Sequence, residues 1–205
     1  MGWLKQPRGG ALAAVLTLAV AASADVEAQT VPLYRNPDAP VGQRVEDLLA
    51  RMTLEEKVAQ LMTVWTNKTD MLDASFQFDP AEARRNFPNG IGQFARPNDI
   101  SGPMSPRATP HRNARDTVAL VNAIQRWAVE ETRLGIPVLF HEEGLHGYVA
   151  PDATSFPQAI ALASSWDLEL VTRVNAVTAR EMSARGVRLA LSPVVDVARD
   201  PRWGR

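Results

Sequence analysis

Residues 90–95, 136–141 and 187–191 are three short apolar runs, each separated from the next by a long stretch of helical periodicity. That alternation constrains the fold more than any other feature of the chain. Between the first two runs, Val118, Val121, Ile124, Trp127 and Ala128 share one helical face over residues 113–134, and Gly135 closes the helix. Between the second and third, Asp167 is placed to cap a helix that runs to Arg185, and Gly186 closes it. Strand, helix, strand, helix, strand predicts a βαβαβ unit on a parallel sheet, because parallel neighbours need a crossover long enough to hold a helix. The run at 136–141 reads as a strand buried on both faces, with Pro137 at its start.

Two architectures satisfy that order. A doubly wound dinucleotide domain carries Gly-x-Gly-x-x-Gly after a strand, and no run here is followed by it. The unusual polar residues instead gather at the C-terminal ends of the second and third runs, where a (β/α)8 barrel carries its site. Such a barrel needs ~250 residues, so this chain supplies about three of its strand–helix units. The expected fold is α/β, the first part of a (β/α)8 TIM-type barrel that is incomplete in this chain.

The N-terminal side sets the boundaries. Lys5 and Arg8 precede an uncharged apolar run at 11–24, and Ala22-Ser-Ala24 and Ala28 are small-residue cleavage points. That is the anatomy of a secretory signal peptide over residues 1–28. A membrane anchor is the alternative, but the run is shorter than the ~20 residues that span a bilayer. The mature chain, residues 29–205, is then secreted or periplasmic and free of the membrane. Residues 29–40 read as a linker. Val45, Leu48, Leu49 and Met52 mark a short helix, and Thr53-Leu-Glu-Glu56 is a capping box opening a second, with Val58, Leu61 and Met62 as its buried face. Residues 66–90 read as irregular, with a turn of helix after Asp79-Pro80, and the proline-rich stretch 97–111 is a loop too long to be an idle connection. There are no cysteines, which excludes disulfides and thiolate metal sites, and a net charge of −1 with interspersed signs offers no basic face for nucleic acid.

His141-Glu-Glu-Gly-Leu-His146 invites a zinc reading and fails it. The metalloprotease motif needs histidines at i and i+4 of a helix; here the second is at i+5, about 140° away, beside a glycine and after a strand. Glu142 and Glu143 are adjacent carboxylates at a strand end. Neighbours on an extended chain point to opposite sides, so one of the two faces the site. His146 is either a donor in the site wall or a histidine that fixes its loop by bonding the backbone. The segment Ser192-Pro-Val-Val-Asp-Val-Ala-Arg-Asp-Pro-Arg-Trp-Gly-Arg205 adds an Asp-Pro turn, rigid Arg forks suited to vicinal hydroxyls or a carboxylate, and an apolar Trp plate. The chain stops inside that group, so it reads as the front part of something longer.

These segments are ordered as in a known family. Residues 48–61 (LLARMTLEEKVAQL), 134–147 (LGIPVLFHEEGLHG), 156–161 (FPQAIA), Ser165-Trp-Asp167 and Asp200-Pro-Arg-Trp-Gly-Arg205 together resemble the N-terminal domain of glycoside hydrolase family 3, which contains the secreted β-glucosidases and β-xylosidases. The resemblance extends from Arg44 to Arg205. It implies a retaining exo-β-glycosidase acting on terminal non-reducing β-D-glucosyl or β-D-xylosyl residues of oligosaccharides or aryl β-glycosides, with no metal or organic cofactor. It assigns binding of the terminal sugar to Glu143 and Arg205, with Asp200 and Arg202 bracing the loop, and His146 joins them as the candidate wall donor. It implies no catalytic residue in this chain. The nucleophile Asp lies on a later strand, the acid/base Glu comes from a second domain, and Ser165-Trp-Asp167 has the wrong order and place. In many glucosidases of the family the position of Glu143 is Asp, so the longer Glu implies crowding at the sugar's C6 and a preference for xylose. Two rivals share the barrel: a sugar-binding protein without the catalytic carboxylates, and a β-N-acetylglucosaminidase of the same superfamily.

Overall fold

The computed structural model describes residues 31–100, 111–197 and 199–203. Residues 1–30, which include the expected signal peptide, most of the proline-rich loop and Arg205 lie outside the described residues. Four strands, β1 (Thr63–Val64), β2 (Gln93–Ala95), β3 (Leu139–Glu143) and β4 (Leu189–Leu191), form one sheet in the order β1-β2-β3-β4. Every pairing is parallel. Parallel neighbours taken in chain order are the winding of a (β/α)8 barrel, in which each strand is added beside the last. The sheet corrects the expected count of three strands: β1 was missed because two residues carry no readable period. The middle strand also ends two residues later than expected, so both glutamates belong to it.

The helices are α1 (Val41–Arg51), α2 (Leu54–Gln60), α3 (Pro80–Asn86), α4 (Ala114–Glu131), α5 (Ala159–Ala163) and α6 (Leu168–Ala184). Their starts follow side-chain chemistry. Thr53 Oγ1 accepts from Glu56 N at 3.2 Å while a Glu56 carboxylate oxygen accepts from Thr53 N at 2.9 Å, completing the capping box. Asp79, Asn113 and Asp167 cap α3, α4 and α6 through their side-chain oxygens.

The register divides the sheet into two faces. Val64, Phe94 and Phe140 are mutual register neighbours, and Glu142 and Ala190 continue the same side of β3 and β4. This face packs against the helices: Phe94 and Phe140 lie 5.8 Å apart in one buried cluster with Leu120, Val121, Ile124 and Trp127 of α4 and Met182 of α6. The buried positions of α4 recur at three- and four-residue spacing, as its sequence pattern predicts. The other face carries Thr63, Gln93, Ala95, Leu139, His141, Glu143, Leu189 and Leu191. In a barrel this face lines the interior. Here Leu139 is 38% exposed while His141 is buried, so the 136–141 strand is buried on its helix-facing side and only in part on this one. The expected buried face of α2 is also corrected: Val58, Leu61 and Met62 are exposed, and its one buried residue is Glu56, held by Arg133.

Candidate functional site

The C-terminal strand ends bring together side chains that the sequence leaves far apart. On the interior face His141 is buried and Glu143 half-buried at the rim. Trp65, which follows β1, sets its ring edge-on to His141, with centroids 6.5 Å apart and planes at 77°. Burial pushes the His141 imidazole below its ordinary pKa against the opposing pull of Glu143, which favours the neutral ring. Trp65 had no signal in the sequence. A lone aromatic in an irregular stretch becomes a wall residue only once β1 is placed beside β2.

Glu142 and Glu143 face opposite ways, as alternation on a strand requires. The side of Glu142 is independently fixed by Gly144, two residues on, where a Cβ would stand 3.2 Å from Met182 Sδ and 3.4 Å from Ala190 Cβ. Glu142 is fully buried at 0% exposure in the helix-facing layer. Its Oε1 accepts from Asn98 N at 3.2 Å and from Asn98 Nδ2, while Tyr148 Oη stands 3.5 Å away. Burial, unopposed by any partner for Oε2 among the described residues, drives its pKa up to about 7.

The turn after β2, residues 96–99, is held from below by buried cations. Lys68 Nζ donates to Arg96 O at 2.7 Å and Asp99 O at 3.1 Å, and sits 5.6 Å from the Phe94 ring centroid. Arg112 donates to Asp99 O at 2.9 Å, Pro97 O at 3.3 Å and Phe76 O at 2.7 Å. Burial lowers the pKa of Lys68 to about 8, although Asp99 and Glu142 pull it back up. On the rim Arg96 Nε lies 2.7 Å from Asp99 Oδ2, and His111 Nδ1 3.0 Å from Asp99 Oδ1. Sequence reasoning gave no role to His111.

The loop after β3 is closed by its own side chains. His146 Nδ1 lies 2.8 Å from Phe156 O, and Phe156 N donates to His146 O at 2.8 Å. A carbonyl only accepts, so Nδ1 carries the proton, and Nε2 is the atom left for a ligand. The Nδ1 contact is the loop-fixing one of the two readings of His146, and it leaves the wall reading to Nε2, an acceptor on the neutral ring. Gly147 is required here: its φ is +111°, and a Cβ would fall 2.1 Å from Thr154 O. Gly147→Ala is expected to cost about 1–3 kcal/mol for the backbone conformation alone, before the clash is relieved. Urea denaturation measures it; an unchanged midpoint would contradict this closure of the loop.

After β4, Asp200 accepts from Arg202 N and from Arg202 Nε, each at 2.9 Å, a local turn contact between two exposed side chains. Trp203 is 43% exposed and, with Leu145, Gln158, Ile160, Pro193 and Val194, lines a cavity of about 380 Å³. Arg205 lies outside the described residues, so its expected place beside Glu143 is not seen. Among the described residues no group of three His, Cys, Asp or Glu could hold a metal ion, and no helix is long and apolar enough to cross a membrane.

Comparison with known proteins agrees with this geometry. The model of the glycosyl hydrolase family 3 N-terminal domain matches residues 53–205. Probable beta-glucosidase C of Aspergillus flavus is 33% identical over 191 residues, 86% of this chain and 27% of that protein. A putative beta-xylosidase of Formosa agariphila is 32% identical over 173 residues, 84% of this chain and 21% of that protein. The solved structure of a β-glucosidase from Erythrobacter marinus superposes with a TM-score of 0.68 at 33% identity, over 84% of this chain and 21% of that one. The chain thus spans about a quarter of the length of the curated relatives it matches. A parallel sheet wound in chain order, polar residues at its C-terminal strand ends and the match over residues 53–205 agree: the chain belongs to glycosyl hydrolase family 3.

Proposed function

We propose that residues 29–205 are the N-terminal part of the barrel of a secreted, retaining exo-β-glycosidase that removes terminal β-D-glucosyl or β-D-xylosyl residues from oligosaccharides. Residues 1–28 are its signal peptide. The observation that carries the reading is the position of Glu143: half-buried, on the interior face and at the C-terminal end of β3, while its neighbour Glu142 is turned into the helix layer. Barrel enzymes build their sites at that end. A carboxylate there offers up to four acceptor positions to the paired hydroxyls of a sugar. Glu143, Arg205 and Nε2 of His146 hold the terminal sugar. The two carboxylates of a retaining mechanism, ~5–5.5 Å apart, come from other parts of the full-length protein.

The test is turnover of aryl β-glucoside and aryl β-xyloside by the full-length protein, with the first-formed anomer followed by NMR. Retention of configuration is expected. Inversion, or no turnover of either substrate, overturns the reading. Residues 29–205 alone are expected to be inactive; turnover above a buffer blank would place the reacting carboxylates in this chain.

The two sugars should not be treated alike. Glu143 carries one methylene more than the Asp of many family glucosidases and crowds the C6 hydroxymethyl that xylose lacks. A group of that size is worth ~1–3 kcal/mol in a tight pocket. The expected result is a higher kcat/KM for the xyloside, with the ratio moving toward the glucoside in Glu143→Asp. A wild type that favours the glucoside, or a ratio that Glu143→Asp leaves unmoved, removes the argument.

A further inference from the structure

Glu142 is a buried carboxylate that the sugar-binding reading does not use. It sits one residue before Glu143 in β3, facing the other way. Its contacts form a closed ring around the peptide that carries Glu143. The carboxylate accepts from Asn98 N and Asn98 Nδ2. The same Asn98 amide donates to Val149 O at 3.1 Å. Val149 N in turn donates to Glu143 O at 3.1 Å. The ring therefore ties the turn after β2, the end of β3 and the returning loop to one another, and Glu143 is held from the side chain before it and from its own carbonyl. Asn98 is itself fully buried, and its turn is fixed by Lys68 and Arg112, which occupy the carbonyls of Arg96, Pro97 and Asp99. The turn is thus a rigid post and Glu142 the link to it. Groups aimed at a reacting sugar depend on such support, since small displacements cost large factors in rate.

We propose that Glu142 is the positioning residue of Glu143, acting through the Asn98 amide and the Val149 peptide without touching the sugar itself. The inference rests on the sugar-binding reading of Glu143. Glu142→Ala removes the acceptor, strands the buried Asn98 N–H and frees the end of β3. Glu142→Gln keeps an acceptor for Asn98 and is the conservative rescue. Asn98→Ala cuts the ring at its other member and leaves the carboxylate in place.

The experiment is a double-mutant cycle in the full-length protein, read as kcat/KM for an aryl β-glycoside, with circular dichroism as the check on folding. Glu142→Ala and Asn98→Ala are each expected to lower kcat/KM about fivefold, and Glu142→Gln by a smaller factor, when Glu143 is present. In the Glu143→Ala background the same changes should cost less than about twofold, because the group they position is gone. A merely structural role predicts equal factors in both backgrounds, and that outcome overturns the inference while leaving the sugar-binding reading intact. No loss from Glu142→Ala or Asn98→Ala with Glu143 present overturns it in the same way. If Glu142→Ala fails to fold, Asn98→Ala and Glu142→Gln carry the cycle. If Glu143→Ala itself leaves kcat/KM unchanged, the sugar-binding reading and this inference fall together.

Discussion

In the full-length protein Glu143→Ala and Arg205→Ala are each expected to lower kcat/KM for an aryl β-glycoside by about one to two decades. On the proposed sugar-binding reading, each removes a charge-assisted hydrogen bond to a sugar hydroxyl, worth ~1.5–3 kcal/mol where water is excluded. At about 1.4 kcal/mol per decade that is the factor stated. Glu143 stands at the rim of the interior face, where no described side chain competes for its carboxylate. Glu142→Ala should cost less than Glu143→Ala, because the Glu142 carboxylate is committed to Asn98 and faces the helices. Steady-state kinetics on the single variants decide the matter. A larger loss from Glu142→Ala than from Glu143→Ala would mean that the end of β3 is registered one residue away, since a slip of one exchanges the two faces.

That one of the two glutamates faces the site was legible in the sequence because it needs only local information, whereas the choice of Glu143 came from the family resemblance and the strand's end lay two residues beyond the expected one. Adjacent residues on a strand point apart, and a strand ending in Glu142-Glu143 must expose one of them to the site. The capping box at Thr53-Glu56, the face of α4 and the Asp167 cap of α6 were legible for the same reason: each is a pattern within a few residues. The order of strands and helices then required a parallel sheet.

What could not be read was set by distant partners. β1 is two residues long and exists because Thr63 and Val64 find Gln93 and Phe94. Lys68, Asn98 and Arg112 look like surface residues in the sequence, yet all three are buried, because backbone carbonyls and Glu142 satisfy them. A sequence pattern marks such residues as polar and gives no sign that groups distant in the chain will accept their hydrogen bonds. The opposite error occurred on α2. Val58, Leu61 and Met62 have the spacing of a buried face, but spacing names no partner, and here Leu61 is 83% exposed.

The second large effect concerns stability and pH. Glu142 has a folded-state pKa near 7, against 4.5 for an ordinary glutamate. Below pH 4.5 the group is neutral whether the chain is folded or not, and its burial carries no ionisation penalty. As pH rises through the folded pKa, the unfolded chain is already ionised and the folded one must follow, so stability is lost between about pH 4.5 and 7. The separation of the two pKa values corresponds to a loss of about 3 kcal/mol across that window. The groups facing Glu142 are Asp99 and Tyr148, which disfavour its charge or are disfavoured by it, and Arg96 and Lys68, which favour it. Lys68 does not blur the window, because its own pKa, lowered from 10.5 to about 8, moves stability only above pH 8. Asp47, Glu56 and Glu181 are held below their ordinary pKa values by hydrogen bonds from Arg51, Arg133 and Thr154, so their contributions are lost at more acid pH. Glu142→Gln is isosteric and cannot ionise. The expected result is that wild type minus Glu142→Gln, measured by urea denaturation at steps from pH 4.5 to 8, falls by about 3 kcal/mol, most of it between the unfolded and folded pKa values, and levels off above the folded one. A difference that stays flat with pH would mean that the Glu142 carboxylate is charged throughout, and that the Asn98 hydrogen bonds outweigh its burial.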